Sequence, residues 1–202
     1  MKLTPESSLG ASFGSACMLA MPSGAAVLQE RADIGCLLLT SAVDTDATAV
    51  PASRAVGIDL PSAAGKIQTG DQRLALWLSP RSWLIHCPID EEIGLAARVN
   101  DAFPDKRVHA ACVTDHFCWI ELSGRDSSAL LRQGAFLSLE RGGLAVGHAK
   151  RTAVAGIAAI LVHLDDNVWL VAIERSRARY FVDWLIARAR SGAEVEPVVC
   201  AS

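Results

Sequence analysis

Apolar residues along this chain fall into short runs broken by turn residues, and only the final segment shows a sustained helical period. The first 24 residues are punctuated by Ser, Gly and Pro and hold no period, so they read as an arm lying on another surface. Val27–Arg31 and Cys36–Ser41 are apolar runs separated by Asp33 and Gly35, which predicts two strands joined by a tight connection. Val43–Pro51 is rich in Asp, Thr and Ala and reads as a loop. Ala55–Leu60, closed by Pro61, reads as a short helix, and Gly70-Asp71 as a turn. Two apolar runs then flank Ser79-Pro80-Arg81-Ser82. Pro80 presets φ for a turn, so Leu74–Leu78 and Trp83–Cys87 are predicted to form a hairpin. Pro88 ends the second strand. Asp90 is placed to cap a helix with Glu91 and Glu92 in its first turn. Ile93, Ala96, Ala97 and Val99 or Phe103 give that helix its apolar face, and Pro104 stops it.

The second half repeats the theme. Val108–Val113 and Cys118–Leu122 read as strands around Thr114-Asp115. Asp126–Gln133 reads as a helix with Leu130 and Leu131 inward and Gly134 as its C-cap. Phe136–Leu139 reads as extended and Arg141-Gly142-Gly143 as a turn. Lys150–Val154 and Ile157–Leu164 read as strands, and Asp165-Asp166-Asn167 turns the chain into Val168–Ile173. From Glu174 onward Phe181, Trp184, Leu185 and Ala189 recur at helical spacing. The order is β-β-(α)-β-β-α followed by β-β-α-β-β-β-α. That is an α+β chain: two small layers of antiparallel sheet with helices packed on one face. The expected division is an N-terminal arm over 1–24, subdomains over 25–106 and 107–192, and a C-terminal tail over 193–202.

Composition narrows the class. The 202 residues are 51% apolar and 20% charged, with a net charge of −3. Mean hydropathy is +0.29 and the pI about 5.9. There is ample apolar surface to offset ordering entropy, so most of the chain is not disordered. The acidic balance disfavours free nucleic acid, which needs a basic face. Little polar surface is spare, which suits a subunit that covers part of itself with a partner. The six cysteines, Cys17, Cys36, Cys87, Cys112, Cys118 and Cys200, form no C-x-x-C pair and read as reduced, buried thiols. No basic start and continuous apolar run mark a signal peptide. The longest apolar run, Ala153–Val162, is half the roughly 20 residues a membrane span needs. A cytoplasmic protein is expected.

Motifs for chemistry are sparse. His109, Cys112, His116 and Cys118 are the densest set of possible metal ligands, but their spacing matches no zinc module and a turn at Thr114-Asp115 would scatter them. His86 lies in a strand and His163 at a hairpin end. No G-x-S-x-G turn, P-loop or G-x-G-x-x-G is present, and Gly142-Gly143 and Gly147-His148 are too sparse to cradle a phosphate. Asp165 and Asp166 read as solvated turn residues. Arg175, Arg177 and Arg179 open the last helix against its dipole, which leaves a partner's carboxylate or a plain solvated face to account for them. Trp77, Trp83, Trp119, Trp169 and Trp184 read as core, with an interface anchor as the alternative for each. No catalytic, cofactor-binding or metal-binding residue is assigned on this chain.

One resemblance carries function. It rests on Ser7-Ser8-Leu9, Val27-Leu28-Gln29-Glu30-Arg31, the hairpin from Leu76 to Ile85 around Ser79-Pro80-Arg81-Ser82, Ile120-Glu121-Leu122-Ser123-Gly124 with Leu130-Leu131, and Glu174-Arg175-Ser176-Arg177-Ala178 before Trp184-Leu185. Over about Glu6–Ala189 these resemble the gamma subunits of heterotetrameric sarcosine oxidases. The Ile120–Gly124 turn recurs across the wider family of aminomethyltransferase-like proteins. The resemblance implies a fold like the folate-binding domain of those proteins, with no cofactor on this chain. It implies large alpha and beta partners bearing FAD, FMN and NAD, tetrahydrofolate on the alpha chain, and a small delta partner bearing zinc. It implies oxidative demethylation of sarcosine or a related N-methyl amine by the complex. Thr114–Cys118 and Arg141-Gly142-Gly143 depart from the family pattern and leave the amine open. The alternative is a free-standing folate-dependent one-carbon protein, although such enzymes are longer and carry a further β-domain. A third possibility, an iron–sulfur assembly factor of the related kind, lacks its Lys-Gly-Cys-Tyr-type motif here.

Overall fold

In the computed structural model residues 7–10, 17–21, 24–43, 48–139 and 143–191 are described. In chain order the strands and helices are β1 (Cys17–Met21), β2 (Gly24–Glu30), β3 (Ile34–Ser41), α1 (Ala49–Val56), β4 (Ile67–Thr69), β5 (Leu74–Ser79), β6 (Ser82–Pro88), α2 (Glu92–Ala102), β7 (Val108–Cys112), β8 (Phe117–Ser123), α3 (Ser127–Arg132), β9 (His148–Val154), β10 (Ile157–Asp165), β11 (Val168–Glu174) and α4 (Ala178–Ser191). They build two sheets, of order β1-β2-β8-β11-β10-β9 and β4-β5-β6-β3-β7. The α+β class with helices on antiparallel sheets is the one expected.

The first unit comprises Met1–Ala32, Asp115–Val146 and Lys150–Ser202. Its sheet is centred on β8 and β11, which pair antiparallel with Ile120 opposite Val171 and Leu122 opposite Trp169. One face of the sheet carries Leu28, Ile120, Leu122, Leu161, Val171 and Ile173. Against it pack Leu130 and Leu131 of α3 and Phe181, Val182 and Leu185 of α4. The opposite face carries Trp119, Ile160, Val162, Leu170 and Ala172, also buried. A strand buried on both faces reads as a continuous apolar run rather than as alternation, which explains Ala159–Val162 in β10; the apolar residues before it belong to the end of β9 and the turn that follows.

The second unit comprises Asp33–Thr114 with Gly147–Ala149. β3 lies between β6 and β7, with Leu37 opposite both Ile85 and Cys112. Leu37, Leu39, Ala75, Trp83, Ile85, Val108 and Ala110 meet Ala52 and Val56 of α1 and Leu95 and Val99 of α2. β7 is an edge strand whose outer side is covered by one side chain. Asn100 Nδ2 donates to Ala110 O at 3.1 Å, and Ala110 N–H donates to Asn100 Oδ1 at 3.0 Å. The amide thus imitates a further strand and removes one open pairing site.

Several elements differ from the expectation. Cys17–Met21 is not part of an arm but strand β1, with Cys17 opposite Leu28. β2 and β3 are not partners: β2 pairs with β1 and β8, while β3 pairs with β6 and β7. The chain therefore leaves the first unit at Asp33 and returns at Asp115, where the sequence suggested one passage at 106/107. Likewise β7 and β8, read as neighbours, belong to different sheets. The first helix runs over Ala49–Val56, earlier than Ala55–Leu60. Pro51 sits in the first turn, where its missing N–H breaks no bond, and Gly57 ends the helix at φ 73° with its N–H on Ser53 O. β4, pairing with β5, was not expected. Asp90 lies in a short 3-10 turn, Ile89–Glu91, rather than at a cap. The inner face of α2 is Leu95, Ala96 and Val99, with Phe103 after it. Ile93 stands 79% exposed, and Ala97 is also exposed. α3 is shorter than Asp126–Gln133, and Gly134 is not its left-handed cap. Phe136–Leu139 is not a strand, although Ala135 bridges Val154. The expected turn at Arg141-Gly142 and the tail over 193–202 lie outside the described residues.

Candidate functional site

The possible metal ligands are not gathered by the fold. His109 and Cys112 lie on β7 in the second unit, His116 in a 3-10 turn and Cys118 on β8 in the first. Among the described residues no three His, Cys, Asp or Glu side chains converge to hold a metal ion. Cys36, Cys87 and Cys118 are buried free thiols as expected, whereas Cys112 is exposed. Cys112 is the last residue of an edge strand, where nothing needs to cover it.

The thiols are held in the protonated form. Burial, reinforced by Glu30, pushes Cys118 up to about 12. Its Sγ lies 3.6 Å from Glu30 Oε1. Burial, then Glu92, pushes Cys87 up to about 11, and the same two causes raise Cys112. A thiolate is the nucleophile and metal ligand, so these surroundings disfavour both uses. Glu92 is itself buried on α2. Nearby, Arg73 pairs with Glu91 and lies so close to Gly57 that a Cβ there would meet its Nη1 at 2.5 Å.

His86, His163, Trp77, Trp83, Trp119 and Trp169 are packed into the fold, whereas His109 and His116 are exposed. His86 is buried in mid-strand, opposite Cys36 and Leu74. His163 stacks on Trp169 at 3.9 Å and 5°. Its Nδ1 donates to Leu144 O at 2.8 Å, which sets the tautomer. Trp83 Nε1 donates to Pro61 O at 2.8 Å and Trp169 Nε1 to Ser128 Oγ at 2.9 Å. Trp119 is buried and Trp77 half-buried. Asp165 ends β10 and Asp166 begins the β10–β11 turn, both exposed as read. The final helix begins at Ala178, so Arg175 and Arg177 lie in a 3-10 turn before it rather than opening it; Arg175 lies 3.7 Å from Asp115 and Arg179 3.2 Å from Asp183. Carboxylates of this chain therefore account for those two.

The residues that carried the resemblance are joined by short bonds. Leu9 is buried in the core of the first unit. It is held there because Glu30 accepts the Ser8 N–H at 2.9 Å and the Ser7 hydroxyl. Arg31 Nη1 meets Glu121 Oε2 at 2.7 Å, and its N–H donates to Trp119 O. These bonds tie the positions into the core and sheet of the first unit.

What the sequence reading missed is on the surface. Phe136 is 80% exposed and Tyr180 53%. Tyr180 Oη donates to Ala155 O at 3.2 Å, and Ala155 N–H donates to Gly134 O at 3.0 Å. Trp184 lies over Gly134, where a Cβ would meet its ring at 2.5 Å. The Arg188 guanidinium sits 5.9 Å from the Trp184 ring centre.

No curated protein matches the sequence. Among solved structures the chain is similar to heterotetrameric sarcosine oxidase from Corynebacterium sp. U-96, solved in complex with pyrrole 2-carboxylate. The TM-score is 0.76 and the identity 24%, over 86% of this chain and 88% of that one. It is also similar to glycine cleavage system aminomethyltransferase T from Bartonella henselae, at TM-score 0.59 and 11% identity. That match covers 80% of this chain but 46% of the enzyme. Both likenesses bear on the fold, and the fold is the one the resemblance implied. The model of the sarcosine oxidase gamma subunit family matches residues 40–191, three quarters of the sequence, and the chain belongs to that family.

Proposed function

We propose that this chain is the non-catalytic gamma subunit of a heterotetrameric, flavin-dependent sarcosine oxidase-like complex. The complex oxidatively demethylates sarcosine or a related N-methyl amine and passes the one-carbon unit to tetrahydrofolate. The gamma chain buries apolar surface against large alpha and beta subunits and holds their orientation. In this reading FAD, FMN, NAD and tetrahydrofolate belong to the large chains, zinc to a small delta chain, and the assembly works in the cytoplasm. The observation that carries the proposal is the family match over residues 40–191. The protonated thiols and the bonds that tie the signature residues into the first unit agree with it. No described helix is long and apolar enough to cross a membrane.

The test is purification of the tagged chain from its native cell, followed by mass and absorbance spectra. The expected result is a yellow complex with two large flavin-bearing chains and a small zinc chain, active on a secondary N-methyl amine. A colourless chain without partners would overturn the proposal. Tetrahydrofolate binding by that isolated chain would then favour a free-standing one-carbon protein.

A further inference from the structure

The first unit presents a surface stripe unlike the rest of its polar face. Arg177, Tyr180, Trp184 and Arg188 follow one another at three- and four-residue spacing along the final helix and its lead-in turn, so they share one side of it. Phe136 lies two residues beyond Gly134, the glycine on which Trp184 rests. Its N–H donates to Ala153 O at 3.0 Å, next to the strand end that anchors Tyr180. Three aromatics are therefore collected around the turn between β9 and β10, with an arginine at each end of the helical stripe. Trp, Tyr and Arg are the residue types that dominate binding hot spots. Exposing Phe136 to water has no folding rationale, since burial of such a ring is worth about 1.5–3 kcal/mol.

The charge says what covers it. The stripe itself holds two arginines, Arg177 and Arg188, and no acid, while Arg175 and Arg179 beside it face Asp115 and Asp183. The whole chain is nevertheless at −3. Two arginines and no acid along one stripe of an acidic protein repel the same stripe on a second copy and are complementary to carboxylates.

We infer that the Phe136–Tyr180–Trp184 cluster, bracketed by Arg177 and Arg188, is the docking surface for an acidic segment of a large partner subunit. That segment inserts an apolar side chain among the rings and sets carboxylates against the two guanidinium groups. The inference rests on the proposed subunit role and names the surface through which it is exercised.

The complex is purified from its native cell with the tagged full-length chain, either wild type, Phe136→Ser or Arg177→Glu/Arg188→Glu. In wild type, hydroxyl-radical labelling of Tyr180 and Trp184 is expected to fall several-fold in the complex relative to the isolated chain. Phe136→Ser is expected to weaken assembly about tenfold or more at any salt. The double reversal is expected to weaken it by at least as much and to flatten its salt dependence. Equal labelling of the rings in complex and free chain would overturn the inference, as would wild-type affinity in both variants, while leaving the subunit role standing. Self-association of the isolated chain that Phe136→Ser abolishes would overturn it in favour of a second copy. A wild-type chain that brings down no large subunit would remove both the surface and the subunit role.

Discussion

The Glu30 carboxylate accepts the backbone N–H of Ser8 at 2.9 Å, across 22 residues of sequence. It ties the segment that delivers Leu9 into the core to the end of a central-sheet strand. The Ser7 hydroxyl uses the other carboxylate oxygen. Glu30→Ala frees three donors, the Ser7 hydroxyl, the Ser8 N–H and the Cys118 thiol, and leaves the segment without its anchor. A loss of about 1–3 kcal/mol is expected. Denaturant unfolding measures it, and hydrogen exchange at Ser8 and Leu9 should quicken first. Unchanged exchange there would contradict the anchoring role.

Gly134→Ala is expected to cost about 1–3 kcal/mol through overpacking. The added methyl meets Trp184 Cζ2 at 2.5 Å, Cη2 at 2.8 Å and Ala155 N at 3.0 Å. The ring is the side that can yield, so Trp184 swings outward and indole emission shifts to the red. A variant with native emission and native melting temperature would show that the glycine is not a seat for the ring.

Asn100→Ala uncovers both backbone groups of Ala110 on an edge strand. The expected loss is about 1–3 kcal/mol, with faster amide exchange at Ala110 and a greater tendency to aggregate through β7. Asn100→Asp keeps the acceptor and loses the donor, and should fall between the two.

The thiols predict an alkaline weakness. In the unfolded chain a cysteine titrates near its ordinary 9.0, while folding raises Cys87 to about 11 and Cys118 to about 12. The unfolded state therefore sheds its protons first as pH rises. The stabilising contribution is whole below 9.0 and is lost progressively up to about 12. Unfolding free energy should decline across that window, and Cys118→Ala should flatten the decline. Among the described cysteines, native-state alkylation read by mass spectrometry should mark Cys112 first, since Cys36, Cys87 and Cys118 are buried. Early labelling of Cys118 would contradict the burial.

The legible parts of the fold were those set by neighbours in sequence. The β5–β6 hairpin was readable because Pro80 and Ser79 make a turn between two apolar runs. The β10–β11 hairpin was readable because Asp166-Asn167 does the same. The illegible parts depend on distant residues. Nothing near Val27 states that its partner is Ser123 rather than a residue of the next strand. Nothing in α2 marks Leu95 rather than Ile93 as inward until the sheet beneath is in place. The surface cluster escaped for the same reason. Phe136 and Tyr180 are 44 positions apart and meet the same turn, which periodicity does not register.

The interleaving of the two units bears on how the protein is made. Asp33–Thr114 is one unbroken stretch, complete but for Gly147–Ala149. As the chain emerges from a ribosome this stretch can fold while the rest is still being synthesised. The β1–β2 hairpin is translated earlier yet waits longer. β2 has its second neighbour only when β8 arrives, with Val27 paired to Ser123 and Glu30 to Ile120. Until then its far edge is open to any other strand. The β1–β2 hairpin, made before the second unit, is thus exposed throughout the synthesis of that unit, and it would be the place for a chaperone or a nascent partner chain to act.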